Sequence, residues 1–538
     1  MKKTYNIQFV SDPKSKSQSV IFVFLILLIV AFLILGIRLF QLTIVKGSYY
    51  RILSEQNRIK ELQIEAPRGE ILDRKGFPLA KSNLPDISLI DQKILSKRIY
   101  SRSEAISSII GYRQIADAQD LKNDNCINKL ELGDKLGKKG IEKIYDCDLR
   151  GHSGKKLIEI DATGKFLKVV SVIPPTIGKT VQLSLDLMMQ EKAHQLLKDK
   201  KGAIIVTNPK TGEILSFVSS PSFDPQSFED QNNSAINRYL SDKDKPLFNR
   251  ITEGIYPPGS IFKLVIATAA LEEKAITEKT EFEDTGQITA GPLKFGNWYF
   301  LQYGKTDGMV DIVKAIKRSN DIFFYLAGAK TGENKIKKWA EIMGYGKKTR
   351  GPFDEEDGLI PGPFWKEEVI GDQWYTGDTY NLSIGQGYVS STPIQTMMAT
   401  GVFANQGSLC KPLVIKVVNP KSPLREASKI QNCIKLPISQ KTIDLIREGM
   451  RQACAPGGTG WPLFDFKADG KDIQIACKTG TAESHAKSGI PHAWITAFAP
   501  FENPEIAMTI LVEEGGQGSD VAGPIAKELF KTYFERSQ

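Results

Sequence analysis

The stretch YPPGSIFKLVIATAALE, from Tyr256 to Glu272, decides how the chain is read. Pro-Pro-Gly followed by an apolar run of helix-forming residues predicts a helix that opens at Ser260. Inside it, Lys263 stands among Ile261, Phe262, Leu264 and Val265. Burying a lone ammonium is costly. Either the stem snorkels the charge to water, or the interior holds the lysine for a reason. A serine and a lysine three apart share one helix face. At a helix start the hydroxyl is exposed, and backbone N–H groups are free to face a developing oxyanion. A lysine desolvated by such neighbours has a lowered pKa, so it can be neutral and take the serine proton.

Ser-x-x-Lys alone is a weak signal, because it starts at Ser11, Ser153, Ser260, Ser408 and Ser484. Only Ser260 opens a long apolar helix. Two companion patterns complete a serine acyl-transfer set. Lys-Thr-Gly starts at Lys210, in an expected hairpin turn, at Lys330, at a helix end, and at Lys478. Only Lys478 follows an expected strand, IQIAC, and continues as KTGTAES, where a lysine and hydroxyls on a strand edge suit a substrate carboxylate. Ser-x-Asp starts at Ser184, Ser222 and Ser319, and only Ser319 and Asp321, in KRSNDIFFYLAG, lead into an apolar helix. Ser260, Ser319 and Lys478 therefore form an ordered set, each in the local setting its chemistry needs.

Outward from this set, residues 41–63 read as a helix, and APRGEILDRKGFPLA (Ala66–Ala80) as a strand with turns. DLMMQEKAHQLLKDK reads as an amphipathic helix, and GAIIVTNPKTGEILSFVSS as a hairpin. GDTYNLSIGQGYVSSTPIQTMMATGVFANQG reads as a loop and then a buried helix. HAWITAFAPFENPEIAMTILVEEG reads as two strands around a turn, and GPIAKELFKTYFERSQ as a closing helix. Strands flanking a large helical region predict an α+β fold with an antiparallel sheet. There is no internal repeat.

The chain of 538 residues has ordinary globular composition, 41% hydrophobic and 25% charged. Its net charge of +9 is dispersed, without a basic run or nucleic-acid module, so no nucleic-acid partner is expected. The apolar run Val20–Ile37 is long enough to span a bilayer and is followed by RLFQLTIVKG, which carries no small-residue cleavage site. An uncleaved signal-anchor is expected. Lys2, Lys3, Lys14 and Lys16 before it place the N-terminus in the cytoplasm and the rest outside. Cys126, Cys147, Cys410, Cys433, Cys454 and Cys477 show no metal-binding spacing. They read as buried thiols with one or two bridges, whose partners spacing cannot assign.

With these motifs in hand, the chain resembles the class B penicillin-binding proteins. The resemblance covers nearly its whole length: Asn57 with APRGEILDRKGFPLA, GIEKIYDCDLRG, PLFNRITEGIYPPGSIFK, RSND, SIGQGYVSSTP, KTGTAES and HAWITAFAP. WYTGDTYNLSIGQGYVSSTP is most similar to the elongation type, with the septal type its close rival. The resemblance implies a penicillin-binding transpeptidase fold and a peptidoglycan D,D-transpeptidase that binds β-lactams covalently. It implies a cytoplasmic tail at 1–18, an anchor at 19–42, a pedestal or dimerisation-type domain at 43–195 and a transpeptidase domain at 196–538. Ser260 would be the acylated nucleophile, Lys263 its base and Ser319 a proton relay. Asp321 stands where many relatives carry Asn, as is typical of the elongation subgroup. Lys478, Thr479, Gly480 and Thr481 would bind the substrate carboxylate, with the N–H groups of Ser260 and Thr481 as oxyanion hole. The implied partners are peptidoglycan stem peptides and a membrane glycosyltransferase of the shape, elongation, division and sporulation type, within an elongation complex at the inner membrane.

Some relatives carry zinc between the first two motifs, but residues 261–318 contain no His or Cys. Asp284, Asp307 and Asp311 alone do not make a closed zinc site, so no metal and no cofactor are expected. His485 and His492 read as structural or solvent-facing. A D,D-carboxypeptidase differs only in its acceptor. A β-lactamase or penicillin sensor lacks support, because no Glu-x-x-x-Asn occurs between residues 320 and 400. A non-catalytic scaffold leaves the intact motifs unexplained.

Overall fold

The computed structural model describes residues 14–89, 94–161, 163–416, 432–484 and 488–535. Lys2, Lys3, Ser11 and His485 lie outside the described residues. The chain forms two compact units. The first comprises Met1–Glu65, Pro85–Leu95 and Ser153–Thr176. It holds the apolar helix Lys14–Phe40, a π-helical turn Gln41–Val45 and a helix Gly47–Arg58. Val20–Val45 is long and apolar enough to cross a membrane. The helix expected over 41–63 stops at Arg58. From there Ile59–Ile64 runs as a strand, antiparallel to Gly154–Ile160, which in turn pairs with Phe166–Ile173. The alternation of IKELQI, which places Leu62 and Ile64 on the buried face, outweighs continuation of the helix.

The second unit comprises Ala66–Leu84, Ser96–His152 and Ile177–Gln538. Its centre is a five-stranded antiparallel sheet of β1 (Gly202–Thr207), β2 (Ile214–Ser220), β3 (Ala476–Ala482), β4 (His492–Ala499) and β5 (Ile506–Val512). The order across the sheet is β2-β1-β5-β4-β3, so β3 is an edge strand. Period-2 alternation gives each strand two buried faces. Ala203, Ile205, Trp494, Phe498 and Leu511 belong to one core, and Ile204, Val206, Ile495, Met508 and Ile510 to the other. Helix α1 (Leu187–Leu196), capped by Asp186, and α8 (Gly518–Phe534) cover the second core through Met189, Ala193, Leu529 and Phe530.

The first core is filled by α2 (Lys263–Glu272), α3 (Ile312–Arg318), α4 (Asp321–Thr331), α6 (Pro393–Ala404) and α7 (Gln440–Ala453). Residues 263–270 of α2 are buried all round, as expected of a helix apolar on every side. The loop expected ahead of α6 contains a further helix, α5 (Thr376–Ser383), at whose start the Asp378 carboxylate accepts from the Tyr375 N–H (2.8 Å). The closing helix begins at Gly518, before its Pro524 rather than at it.

The six cysteines are all bridged: Cys126–Cys147, Cys410–Cys433 and Cys454–Cys477. This corrects the expectation of one or two bridges among buried thiols. Strand register brings Cys410 opposite Cys433, a juxtaposition that spacing along the chain cannot reveal.

Candidate active site

Ser260 sits in a single 3-10 turn, Gly259–Ile261, immediately ahead of α2. Gly259 has φ +54°, and its N–H donates to the carbonyl of Gly385 (2.9 Å). A Cβ on Gly385 would lie 2.1 Å from the Gly259 oxygen, so only glycine lets the two segments meet. A Cβ on Gly480 would press on Ile261 and Trp494, so that glycine lets the Ser260 turn lie against β3. β3 also contains Lys-Thr-Gly instead of ending before it. Lys478 opposes Thr496 in mid-strand and shares a face with Ala476 and Ala482, towards α2.

Lys263 does not snorkel; it is 0% exposed, as is Lys478. The Lys263 ammonium donates to Asp321 Oδ1 (2.6 Å), the Ser319 carbonyl (2.8 Å) and Ser319 Oγ (3.3 Å). Its three donors are thus taken, none of them by Ser260. Lys478 Nζ lies 2.8 Å from the same Ser319 Oγ and donates to the Thr479 carbonyl (2.9 Å). One hydroxyl therefore bridges two buried amines. Ser319 reaches this position through a left-handed backbone (φ +54°) at the end of α3, a conformation uncommon for a non-glycine residue. The side chain of Thr479 bonds Thr459 (2.9 Å). Thr481 is exposed, and its carbonyl accepts from Gln386 Nε2 (3.4 Å).

Burial lowers the pKa of Lys263, while the Asp321 carboxylate draws it back through charge and hydrogen bonding. Burial takes Lys478 well below the ordinary lysine range, and the charge on Lys263 lowers it further, opposed by Asp321. Like-charge repulsion therefore falls on Lys478, because Asp321 contacts only Lys263. A hydroxyl has one proton to give. With one ammonium and one neutral amine on either side, Ser319 Oγ accepts from the first and donates to the second.

The three aspartates between the first two motifs are engaged otherwise. Asp284 Oδ2 accepts from Asn297 Nδ2, Asn320 Nδ2 and the Asp307 N–H. Asp307 pairs with Arg318 (2.9 Å), and Asp311 caps α3. No three His, Cys, Asp or Glu among the described residues gather as metal ligands. His492 Nδ1 accepts from the Glu514 N–H (3.1 Å), and its ring meets Tyr256 edge-on. Sequence reading missed Asp284, Asn297 and Asn320 as supports of the site, as well as Gln386. The two glycines that flank Gln386, both at positive φ, were the available signal of a shaped loop.

The chain matches the penicillin-binding protein transpeptidase domain over residues 202–531 and the penicillin-binding protein dimerisation domain over residues 81–183. It is 30% identical to the peptidoglycan D,D-transpeptidase MrdA of Salmonella typhimurium strain SL1344, across 94% of each chain. Among solved structures, it is similar to penicillin-binding protein 2 in its complex with MreC from Helicobacter pylori. That likeness has TM-score 0.73 and 29% identity, over 88% of this chain and 98% of the other. It is also similar to a chain of a peptidoglycan synthase complex that coordinates polymerisation and crosslinking, with TM-score 0.74 and 26% identity, over 96% of this chain and 99% of the other.

Proposed function

The chain belongs to the penicillin-binding protein transpeptidase family and is a peptidoglycan D,D-transpeptidase of the elongation type, and from that premise we propose how its own residues divide the work. Ser260 Oγ attacks the carbonyl carbon of the penultimate D-alanine of a donor stem peptide, and Lys263 takes the hydroxyl proton. The N–H groups of Ser260 and Thr481 hold the oxyanion. The C–N bond to the terminal D-alanine breaks, and Ser319 passes a proton to the departing amine. An acyl ester on Ser260 remains. The amine of a second stem peptide attacks that ester, which forms the cross-link and returns the proton to the serine. A β-lactam acylates Ser260 by the same first step.

The observation that carries this assignment is the single Ser319 hydroxyl between the buried amines of Lys263 and Lys478. In the free enzyme the proton rests on Lys263, beside Asp321. A substrate carboxylate arriving at Lys478, Thr479 and Thr481 favours an ammonium on Lys478. The proton then crosses through Ser319 and leaves Lys263 neutral as the base.

Residues 43–195 hold the partner and transmit control without doing chemistry, and residues 196–538 carry the reaction. The partner is a membrane glycosyltransferase, in keeping with the synthase complex of the relative. The helix Val20–Val45 anchors the chain in the inner membrane, with the catalytic unit outside the cytoplasm.

Labelling with a fluorescent penicillin tests the assignment. The parent is labelled and Ser260→Ala is not; a labelled Ser260→Ala would overturn it. With stem-peptide substrates, cross-linked dimer is the expected product. Trimmed monomer alone would make the enzyme a D,D-carboxypeptidase.

A further inference from the structure

Asp284 is a buried carboxylate, 3% exposed, that pairs with no cation among the described residues and takes no part in the chemistry above. Such a group is expensive unless its oxygens are fully engaged. Here Oδ1 accepts from the Gly286 N–H (2.9 Å), and Oδ2 accepts from Asn297 Nδ2 (2.7 Å), Asn320 Nδ2 (2.9 Å) and the Asp307 N–H (2.9 Å). Two of these donors lead straight to the second motif. Asn297, 0% exposed, turns its Oδ1 to the N–H of Asp321 (3.1 Å). Its amide can face only one way, because a carboxylate only accepts and a backbone N–H only donates. Asn320 sends its Oδ1 to the N–H of Phe323 (2.9 Å) and thereby caps α4. Asp284, Asn297, Asp321 and Asn320 close a ring through three side-chain hydrogen bonds and one peptide bond. The next residue along the chain, Trp298, donates its N–H to Asp321 Oδ2 (2.9 Å), while Oδ1 remains on Lys263.

We propose that Asn297, anchored on Asp284, is a positioning residue that sets the Asp321 carboxylate against Lys263 and so governs when Lys263 becomes a base. This deepens the assignment of Lys263 and rests on it. Asn297–Trp298 grips Asp321 at two points, accepting from its backbone and donating to its side chain. Without Asn297, α4 loses a partner at its first N–H and Asp321 is free to turn from Lys263. The charged and titratable groups around Lys263 are Asp321 on α4 and Lys478 on β3. Asp284, Asp307 and Arg318 stand behind them, and Tyr325 is close enough to feel both Asp321 and Glu483. Of these, Asp321 opposes the loss of the Lys263 proton. Loosening it therefore moves that loss to lower pH, even as the misplaced carboxylate slows acylation.

The test measures acylation of the full-length protein by fluorescent penicillin across pH, with thermal unfolding in parallel. Asn297→Ala is expected to acylate slower by on the order of tenfold, the worth of a lost hydrogen bond in a charged site. The acid limb of its rate profile should lie at lower pH than the parent's. Asn297→Asp keeps the shape but sets two carboxylates face to face, so it too should be slow. Asp284→Asn combined with Asn297→Asp lets the new amide donate to the new carboxylate, which again accepts from the Asp321 N–H, but it turns a donor towards Asn320 and the Asp307 N–H. This pair should recover part of the rate, and the limb, relative to Asn297→Asp. A role confined to stability would lower the unfolding midpoint and leave the limb in place. An unshifted limb in Asn297→Ala, or a double variant no faster than Asn297→Asp, overturns the proposal. If Asn297→Ala does not fold, the comparison of Asn297→Asp with the double variant decides it. Labelling of Ser260→Ala in the same series would instead overturn the assignment of the nucleophile, so the two failures are distinct.

Discussion

Lys263 and Lys478 are chemically alike and equally buried, yet they are not equivalent. Asp321 contacts the first and leaves the second exposed to its neighbour's charge. The rate of acylation should rise with pH as Lys263 gives up its proton, because its lowered pKa is the gate to base catalysis. It should fall again when a required cation is lost. Since the two amines share Ser319, both limbs belong to the pair. Lys263→Arg keeps a cation and removes the base, whereas Lys263→Ala removes both. Each should fold and acylate slower by on the order of 10²-fold or more. Lys263→Arg acylating near the parent rate would show that Lys263 is not the base.

Among the elements, the junction of α7 with β3 is stapled beside the site. Cys454 ends α7, and Cys477 precedes Lys478 on β3. The turn between Cys454 and Trp461 reaches the Lys-Thr-Gly motif and the segment that carries Ser319. Thr459 accepts from Thr479, and the Gly457 carbonyl accepts from Arg318 (3.0 Å), the neighbour of Ser319. Both sulfurs are buried, so reductant added to folded protein should leave the acylation rate unchanged. Cys454→Ala with Cys477→Ala should lower the unfolding midpoint by roughly 5–10 °C, from the usual 2–4 kcal/mol of such a bridge. Acylation should slow in parallel as β3 loosens. A double variant that unfolds at the parent's midpoint would show that the bridge contributes nothing to holding β3.

Across the second unit, stability depends on a buried network of charges. Arg68 and Arg98 both pair with Glu142 (2.5 and 2.9 Å), and Arg113 grips Glu229 with two nitrogens (2.7 and 2.8 Å). Burial pushes the Glu142 carboxyl up, but Arg98, Arg68 and Arg113 more than offset this and hold it at about 2, below its ordinary 4.5. A depressed carboxylate contributes its stability fully above 4.5 and loses it as pH falls towards 2, here on the order of 3 kcal/mol. Urea unfolding should therefore show the parent weakening between these values. Glu142→Gln, which strands two buried guanidinium groups, should be less stable at pH 7 by roughly 3–5 kcal/mol and less sensitive to acid. An equal acid slope in both proteins would remove Glu142 from the account. At the scale of the cell, alkaline phosphatase fused after residue 180 should be active. An inactive fusion, with an active cytoplasmic reporter at the same point, would reverse the topology.

The sequence by itself determined the chemistry and the order of its parts. Ser260, Lys263, Ser319 and Lys478 were legible as candidates because each motif needs a local setting, a helix start or a strand, that composition and periodicity reveal. The central hairpins were legible for the same reason, since the short continuous apolar runs GAIIVT and AMTILV beside turn residues are local. The tertiary structure decided what depends on residues far apart in the chain meeting in space. It drew Lys-Thr-Gly into an edge strand despite its glycine, joined the six cysteines in three bridges, one of them set by strand register, and laid the Gly385 loop on Gly259. It also placed Asp284 and Asn297 behind Asp321. No local pattern marks those two residues, because their role exists only where three segments converge and each donor finds the one acceptor that can take it.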